Sequence, residues 1–263
     1  MRPRLIASDL DGTLLRSDGT VDERSRQALA TAEDAGAVVV LCTARPSRWI
    51  VHLADITGHH GIAICANGGV VCNLHTETVI EQFPLEPLVA REVVTLLREA
   101  LPGGAFAVER AESFGREPGY ESKWPVPAGT VIDAVEELVS EPAVKLMLRH
   151  PEFLADALLD RARRTVGHLV ELSHSNASDG LLEISAAGVS KASALARVCT
   201  DRDIDSSEVI AFGDMPNDLA MLKWAGHAVA VANAHAAVLA AADEVTASND
   251  DAGVARVLER LFH

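Results

Sequence analysis

The chain has 263 residues, 48% of them hydrophobic, and a formal net charge of -15 at pH 7. This length and apolar content suffice for one large or two modest domains with buried cores, whereas the acidic balance argues against the basic surface that nucleic acids and anionic membranes require. The expected partners are therefore small molecules.

Strands and helices alternate through the first third of the chain. Short apolar runs predict buried strands, longer segments with a charged face predict helices, and Gly36 is a predicted C-cap of the first helix. The predicted elements, in chain order, are a strand at 5–8, a helix at 22–35, a strand at 37–42, a helix from about Ser47 and a strand at 62–65.

The middle of the chain has a different pattern. Amphipathic helices mix there with strands and with a loop-rich stretch from Ser113 to Gly129. Helices are predicted at 87–100, 130–139 and 153–165, and strands at 145–148 and 181–184. We therefore predict an inserted α+β domain at 84–186, within a core domain formed by 1–83 and 187–263.

The alternation returns towards the C-terminus, with strands predicted at 209–212 and 228–231 and a helix between them at 218–224. Repeated β-α-β units are typical of a parallel sheet with helices on both faces. The predicted fold class is α/β, a Rossmann-like doubly wound parallel sheet that carries the inserted α+β domain.

The sequence shows no signal for export or membrane insertion. The apolar stretch before Asp9 is too short for the hydrophobic region of a signal peptide, and the alanine-rich segment 225–242 contains histidines and an asparagine, which argue against a membrane span. The four cysteines lack C-x-x-C spacing, so we expect reduced, buried thiols. These features indicate a cytoplasmic protein without a membrane partner.

Two carboxylates stand where the first predicted strand ends. Asp9 and Asp11 are two positions apart beside Gly12, and on an extended backbone alternate residues face the same side. Both acids are therefore expected to point at one spot. Such a pair suggests metal and phosphate chemistry, but solvated acids with this spacing are also common.

Polar residues follow three further strands. Thr43 comes after the second strand, Asn67 after the third and Asp214 after the strand at 209–212. Ligands of an open parallel sheet bind beyond the carboxyl ends of its strands. Four strands thus deliver groups that bind metals or phosphate to one edge of the predicted sheet.

Four segments together resemble the motifs of the haloacid dehalogenase (HAD) superfamily of phosphohydrolases. They are Asp-Leu-Asp-Gly-Thr at 9–13, Thr-Ala-Arg at 43–45, Lys191 and Gly-Asp-Met-Pro-Asn-Asp at 213–218. Their order and spacing are similar to those of the Cof-type subgroup, in which a large α/β cap of class IIB is inserted after the third strand. The resemblance covers essentially the whole chain, with Ala44 standing where many relatives have glycine.

The resemblance implies catalytic roles for four residues. Asp9 is the expected nucleophile, which forms an aspartyl-phosphate, and Asp11 is the expected general acid that later serves as base. Lys191 is expected to neutralise the phosphate and the nucleophile. Thr43 is expected to donate a hydrogen bond to a phosphoryl oxygen.

The resemblance also implies a Mg²⁺ site. Its expected ligands are Asp9, the backbone carbonyl of Asp11, and Asp214, because hard oxygen donors suit this ion. Asp218 is expected behind them, where it orients water or Lys191. If the resemblance is set aside, the alternative interpretation of Asp218 is an ordinary acid at a helix start, and that of Lys191 is a solvated helix residue.

Gly12, Arg45, Asn67 and Asn217 are the expected substrate contacts. For Arg45 and Asn67, a surface ion pair and a loop cap are equally good explanations. The cap is expected to select the leaving group, through candidates that lie in two loops: Arg116, Lys123, Trp124 and the stretch 173–179.

The implied function is a Mg²⁺-dependent phosphatase for small phosphorylated metabolites, such as sugar phosphates. One alternative is a phosphomutase or phosphotransferase, in which an alcohol replaces water as the acceptor. Another is a non-catalytic, Mg²⁺-binding phospho-acceptor. Asp11 argues against the last, because an acceptor alone needs no acid for a leaving group.

Overall fold

The computed structural model describes residues 2–262, which divide into two compact units. The cap unit is Gln82–Val189, and the core unit combines the segments on either side of it. The strands are β1 Leu5–Asp9, β2 Val38–Cys42, β3 Ile62–Cys65, β4 Val70–Asn73, β5 Thr78–Gln82, β6 Ala105–Glu109, β7 Phe114–Arg116, β8 Val131–Ile132, β9 Lys145–Arg149, β10 Val170–Ser173, β11 Leu181–Ala186, β12 Val209–Gly213, β13 His227–Ala230 and β14 Glu244–Val245. The α-helices are α1 Glu23–Asp34, α2 Pro87–Ala100, α3 Val135–Leu138, α4 Ala155–Val166, α5 Lys191–Thr200, α6 Leu219–Trp224, α7 Ala236–Leu239 and α8 Gly253–Phe262.

The core unit is built on a single eight-stranded sheet with the strand order β14-β13-β12-β1-β2-β3-β4-β5. The pairs from β14 to β3 are parallel, and β4 turns back antiparallel to β3. Every residue of β1, β2 and β12 is buried, as expected for central parallel strands covered on both faces. The predicted Rossmann-like α/β fold is confirmed.

The register of this sheet explains where the polar residues gather. Leu5 of β1 aligns with Val38 of β2 and with Val209 of β12. Strands that start in register and have similar lengths end at the same edge. Asp9 therefore lies at the edge where the chain leaves β2 and β12.

Local sequence signals set the ends of the core helices. The Asp22 side chain accepts a hydrogen bond from the Ser25 backbone N–H at the start of α1, and Gly36, with φ of 91°, follows its end. The helix predicted from Ser47 is instead two 3₁₀ segments, Ser47–Trp49 and Val51–Thr57. The β-branched residues of this region disfavour a regular α-helix.

The cap unit is a six-stranded sheet with the order β10-β11-β9-β6-β7-β8. All of its pairs are antiparallel except β7 with β8. Alternate residues on its strands point to one face and pack with α2 and α4 in a continuous apolar core, which includes Phe106, Val108, Leu146, Leu148, Leu182 and Ile184.

One prediction for the cap unit is wrong in detail. The helix predicted at 130–139 is the short strand β8 followed by α3, because the β-branched Val131 and Ile132 favour extended backbone. The stretch predicted to be loop-rich, 113–129, also contains the short strand β7, which pairs with β6 and buries Phe114.

All four cysteines are buried thiols without disulfide bonds. The closest pair, Cys65 and Cys72, has Sγ atoms 3.6 Å apart, well beyond the length of an S–S bond. Within residues 2–262, no helix has the length and apolar character that crossing a bilayer demands.

Candidate active site

A buried lysine joins two carboxylates at the carboxyl end of β1. Lys191, the first residue of α5, is fully buried; its Nζ lies 2.5 Å from Asp9 Oδ1 and 2.7 Å from Asp218 Oδ1. Ser190 caps α5 through its side chain and fixes the helix start beside the sheet edge. Lys191 is therefore not the solvated helix residue that remained an alternative.

The turn after β12 contributes the other acids. Thr13 Oγ1 donates to Asp214 Oδ1 at 3.0 Å. Asp218 Oδ2 accepts the backbone N–H groups of Asp214 and Met215, each at 3.0 Å, while its Oδ1 faces Lys191. Asp218 thus fixes both the turn and the lysine, and its complete burial distinguishes it from an ordinary acid at a helix start.

Three carboxylates with a single lysine leave this cluster short of positive charge. One side-chain oxygen from each of Asp9, Asp214 and Asp218 lies within 4.8 Å of the others, and all three residues are buried. Hard oxygen donors gathered at this spacing suit a divalent cation. The residues present therefore fit the metal site that the family implies.

Burial and mutual repulsion shift the protonation equilibria of the cluster. Burial raises the pKa of Asp9 well above its ordinary value, although Lys191 partly offsets the effect. Burial, followed by the charge of Asp218, raises the pKa of Asp214 to about 7. Burial alone would lower the pKa of Lys191, but Asp218 and Asp9 reverse this and raise it. Lys191 is thus held protonated, while the carboxylates resist ionising together.

These shifts predict a pH-dependent stabilisation by divalent cations. The pKa of Asp214 is about 7 in the folded protein, against an ordinary value of 3.8. Across that window the metal-free native state holds a proton that the unfolded chain has lost, so stability falls as pH rises from about 4 to about 7. A cation held by Asp214 would replace that proton.

Thermal unfolding with Mg²⁺ and with chelator measures this effect. The cation is expected to raise the melting temperature more at about pH 8 than at about pH 5. The Asp214→Asn variant, which lacks the titrating group, is the control. Its melting temperature should depend less on pH than that of the unmodified protein. An equal stabilisation at both pH values in the unmodified protein would contradict the expectation.

Arg45 reaches across to Asp11. Its Nε lies 2.7 Å from Asp11 Oδ2 and its Nη2 lies 2.5 Å from Asp11 Oδ1. Its backbone N–H donates to Thr43 Oγ1 at 3.0 Å, so the buried threonine accepts one hydrogen bond and retains its own proton to donate. The sequence left a substrate contact, an ion pair and a loop cap open for Arg45, and the structure shows the ion pair.

Asn67 and Asn217 are joined through their amides, with Asn217 Nδ2 donating to Asn67 Oδ1 at 3.0 Å. Asn67 adopts a left-handed φ of 57°, and a Cβ on the next residue, Gly68, would lie 2.2 Å from the carbonyl oxygen of Ser190. The remaining amide atoms, Asn67 Nδ2 and Asn217 Oδ1, are buried and have no hydrogen-bond partner within residues 2–262. A buried donor and acceptor in this state are expected to bind an ordered water molecule or a ligand.

Gly12 shapes the site through its backbone. Its φ is 80°, and a Cβ there would lie only 2.4 Å from Asp214 Oδ2. Only glycine permits the loop after β1 to approach this carboxylate so closely. Gly12 therefore lies against Asp214, a predicted metal ligand.

Two asparagines, to which the sequence assigned no role in the site, hold the loop after β1. Asn233 Nδ2 donates to the Gly12 carbonyl at 2.7 Å, and Asn249 Nδ2 donates to the Leu15 carbonyl at 2.9 Å. The two residues are linked, because the Asn249 backbone N–H donates to Asn233 Oδ1 at 3.0 Å. They lie more than 200 positions after the loop in the chain, and only the tertiary fold brings them there.

The candidate cap residues lie within the cap unit. Arg116 donates through Nη1 to three backbone carbonyls nearby, so it fixes its own loop. Asp179 is buried and forms ion pairs with Arg149 and with Lys123, whose Nζ is 3.1 Å from Asp179 Oδ2. Trp124 is about half exposed, at 53%.

The fold and site define a class of protein, an α/β enzyme with carboxylates and a buried lysine at the carboxyl edge of a doubly wound sheet. A model of the haloacid dehalogenase-like hydrolase family matches residues 6–258. The chain belongs to this family. The predicted enzyme type, a HAD phosphoric monoester hydrolase, is confirmed as well.

Two bacterial relatives match along nearly their whole length. The chain is 30% identical to the putative phosphatase YxeH of Bacillus subtilis strain 168, with 98% of each chain covered. It is 29% identical to the pyridoxal phosphate phosphatase YbhA of Escherichia coli K12, again with 98% of each covered. Among solved structures, BT1666 of Bacteroides thetaiotaomicron, a phosphatase of the HAD superfamily, gives a TM-score of 0.80 at 26% identity and covers 99% of this chain and 95% of its own.

Proposed function

We propose that the protein is a Mg²⁺-dependent phosphatase that hydrolyses small phosphorylated metabolites, such as sugar phosphates, through an aspartyl-phosphate on Asp9. The main support is the placement of Asp9 Oδ1 at 2.5 Å from the Nζ of fully buried Lys191. A carboxylate held beside a fixed cation at the end of a parallel strand is suited to attack an anionic phosphoryl group.

The metal would be held by Asp9, Asp214 and the backbone carbonyl of Asp11. When bound, Mg²⁺ neutralises charge on the phosphoryl oxygens. Asp218 already accepts three hydrogen bonds from Lys191 and two backbone N–H groups, so we assign it to orientation of the site.

In the first step, a carboxylate oxygen of Asp9 attacks phosphorus. The bond between phosphorus and the leaving-group oxygen breaks, and Asp11 transfers its proton to that oxygen. Lys191 balances the charge of Asp9 and the phosphoryl group, and the Thr43 hydroxyl donates to a phosphoryl oxygen. The products of this step are the free alcohol and phosphorylated Asp9.

In the second step, Asp11 takes a proton from water, and the water oxygen attacks phosphorus. The bond between phosphorus and the Asp9 carboxylate oxygen breaks, which releases inorganic phosphate and restores Asp9. Asp11 then holds the proton it needs for the next cycle.

The amide pair is assigned to substrate binding. Asn67 Nδ2 would donate to a phosphoryl oxygen, which accepts but cannot donate in the dianion. Asn217 Oδ1 would accept from a water or a substrate hydroxyl group. Both atoms are buried and without partners within residues 2–262, so binding would satisfy two polar groups whose burial is otherwise costly.

A panel of phosphorylated metabolites tests the proposal. The purified protein is expected to release inorganic phosphate from sugar phosphates or related monoesters with Mg²⁺, and to stop when the metal is chelated. Release of inorganic phosphate, rather than transfer to an added alcohol, separates hydrolysis from phosphotransferase activity. Full activity in chelator, or no release from any monoester, would overturn the proposal.

Gly12→Ala is expected to reduce turnover by about 100-fold, because a Cβ so close to Asp214 displaces a proposed ligand by a few tenths of an ångström or more. Gly19→Ala is the matched control. Gly19 has a similar φ of 81°, yet its added Cβ would meet no atom within 4 Å. Both variants share the cost of a left-handed alanine, about 1 kcal/mol. Equal activities of the two variants would contradict the expectation.

A further inference from the structure

The Asp11 carboxylate has a two-point hydrogen-bonding partner. Arg45 donates to one carboxylate oxygen from Nε at 2.7 Å and to the other from Nη2 at 2.5 Å. Two parallel N–H bonds from a planar guanidinium fix both the position and the plane of a carboxylate. This geometry is more restrictive than a single contact from a flexible ammonium group.

Asp11 needs such a partner because its own surroundings restrain it little. Its side chain is 46% exposed, and within residues 2–262 no other side chain donates to it. The backbone is fixed by its bridge to Leu15, but a half-exposed aspartate on a fixed backbone still samples several rotamers. The pairing with Arg45 selects one of them.

Arg45 is itself held firmly. Its backbone N–H donates to Thr43 Oγ1, and its carbonyl accepts the Ala66 N–H at 3.0 Å. Its side chain is only 19% exposed, compared with 47% for Arg24, which pairs with Glu259 on the surface. The guanidinium is therefore a stable support for the more exposed acid.

We infer that Arg45 is a positioning residue that acts through Asp11, aiming this carboxylate at the leaving-group oxygen, and that its main role is not to bind the phosphoryl group. The inference rests on the proposed function, in which Asp11 protonates the leaving group. When one oxygen of Asp11 carries that proton, it gives up its hydrogen bond from Arg45, and the other oxygen still accepts from the guanidinium and keeps the rotamer. It revises the expectation that Arg45 is a substrate contact.

The inference is tested by measuring how the loss of kcat/KM in an Arg45 variant depends on the leaving group of the substrate. An alkyl phosphate needs a proton on its departing oxygen, whereas p-nitrophenyl phosphate departs without one. We compare kcat/KM for both substrates, because this parameter reports the steps through transfer to Asp9. Arg45→Met is expected to lower kcat/KM by about 10- to 100-fold for the alkyl ester and by less than about 3-fold for the aryl ester.

The double variant separates action through Asp11 from direct phosphate binding. In an Asp11→Asn background, Arg45→Met is expected to cause no further loss on either substrate, because its effect passes through the missing carboxylate. Arg24→Met, which removes a similar two-point ion pair elsewhere on the core unit, is the control and should leave both rates unchanged.

Two outcomes would overturn the inference in distinguishable ways. Equal losses of kcat/KM on both esters, which persist in the Asp11→Asn background, would make Arg45 a phosphate contact and leave the proposed function intact. If Asp11→Asn itself does not discriminate between the two esters, the acid role fails and the inference fails with it.

Discussion

The Asp9→Asn variant is expected to lose at least about 10⁴-fold in turnover, the largest activity loss of any single substitution in the core unit. An amide oxygen is a poor nucleophile and cannot form the acyl-phosphate. Direct attack of water on the phosphorus of the substrate is then the remaining reaction, and it is slow. Phosphate release under saturating substrate and Mg²⁺ measures the loss. Turnover within about 10-fold of the unmodified protein would exclude Asp9 as the nucleophile.

The same variant is expected to keep its fold. Asparagine has nearly the shape of aspartate, and Lys191 retains Asp218 at 2.7 Å as a partner. Burial and the neighbouring acids already raise the pKa of Asp9, so removing its charge relieves repulsion in the metal-free protein. The melting temperature without metal should therefore be unchanged or higher. A large decrease would make a loss of activity uninformative about chemistry.

Lys191→Met is expected to damage both stability and activity. Lys191 Nζ is the cation that pairs with Asp9 and Asp218 in a fully buried position. Removing one partner of a buried ion pair leaves uncompensated charge and costs about 3–5 kcal/mol. Turnover is expected to fall by at least about 10³-fold, because the charge of nucleophile and phosphate is no longer balanced.

Lys223→Met is the matched control for this substitution. Lys223 is exposed on α6, so the same change there removes one solvated charge and should alter stability by less than about 0.5 kcal/mol. Chemical denaturation of both variants in chelator measures the difference. An equally stable Lys191→Met protein would contradict the view that this lysine compensates the acidic cluster.

The central sheet was predictable because its strands are continuous apolar runs. The segments at 5–7 and 209–212 are wholly apolar, and such runs belong to parallel strands buried on both sides. Asp9 and Asp214 could be placed at one edge for the same reason, since parallel strands in a common register end together. The side-chain contacts of Lys191 were expected only from the family resemblance.

Other features depend on tertiary contacts that carry no local signal. The side chains of Asn233 and Asn249 bind carbonyls of the loop after β1, yet nothing in their neighbourhood in the sequence indicates this. The sequence did not decide between an ion pair and a substrate contact for Arg45, because arginine binds a phosphate and a carboxylate equally well. At 130–139, the spacing of the charged residues is typical of a helix, but Val131 and Ile132 form a strand.

The most direct measurement of the central claim is the location of phosphate on the protein during turnover. Radiolabelled substrate is mixed rapidly with enzyme, the reaction is quenched in acid, and the digested protein is mapped by mass spectrometry. We expect a hydroxylamine-sensitive phosphoryl group on Asp9, which accumulates further in the Asp11→Asn variant because water is then poorly activated. Steady release of inorganic phosphate with no phosphoryl group on Asp9 at any time, or with the label on another residue, would contradict the mechanism.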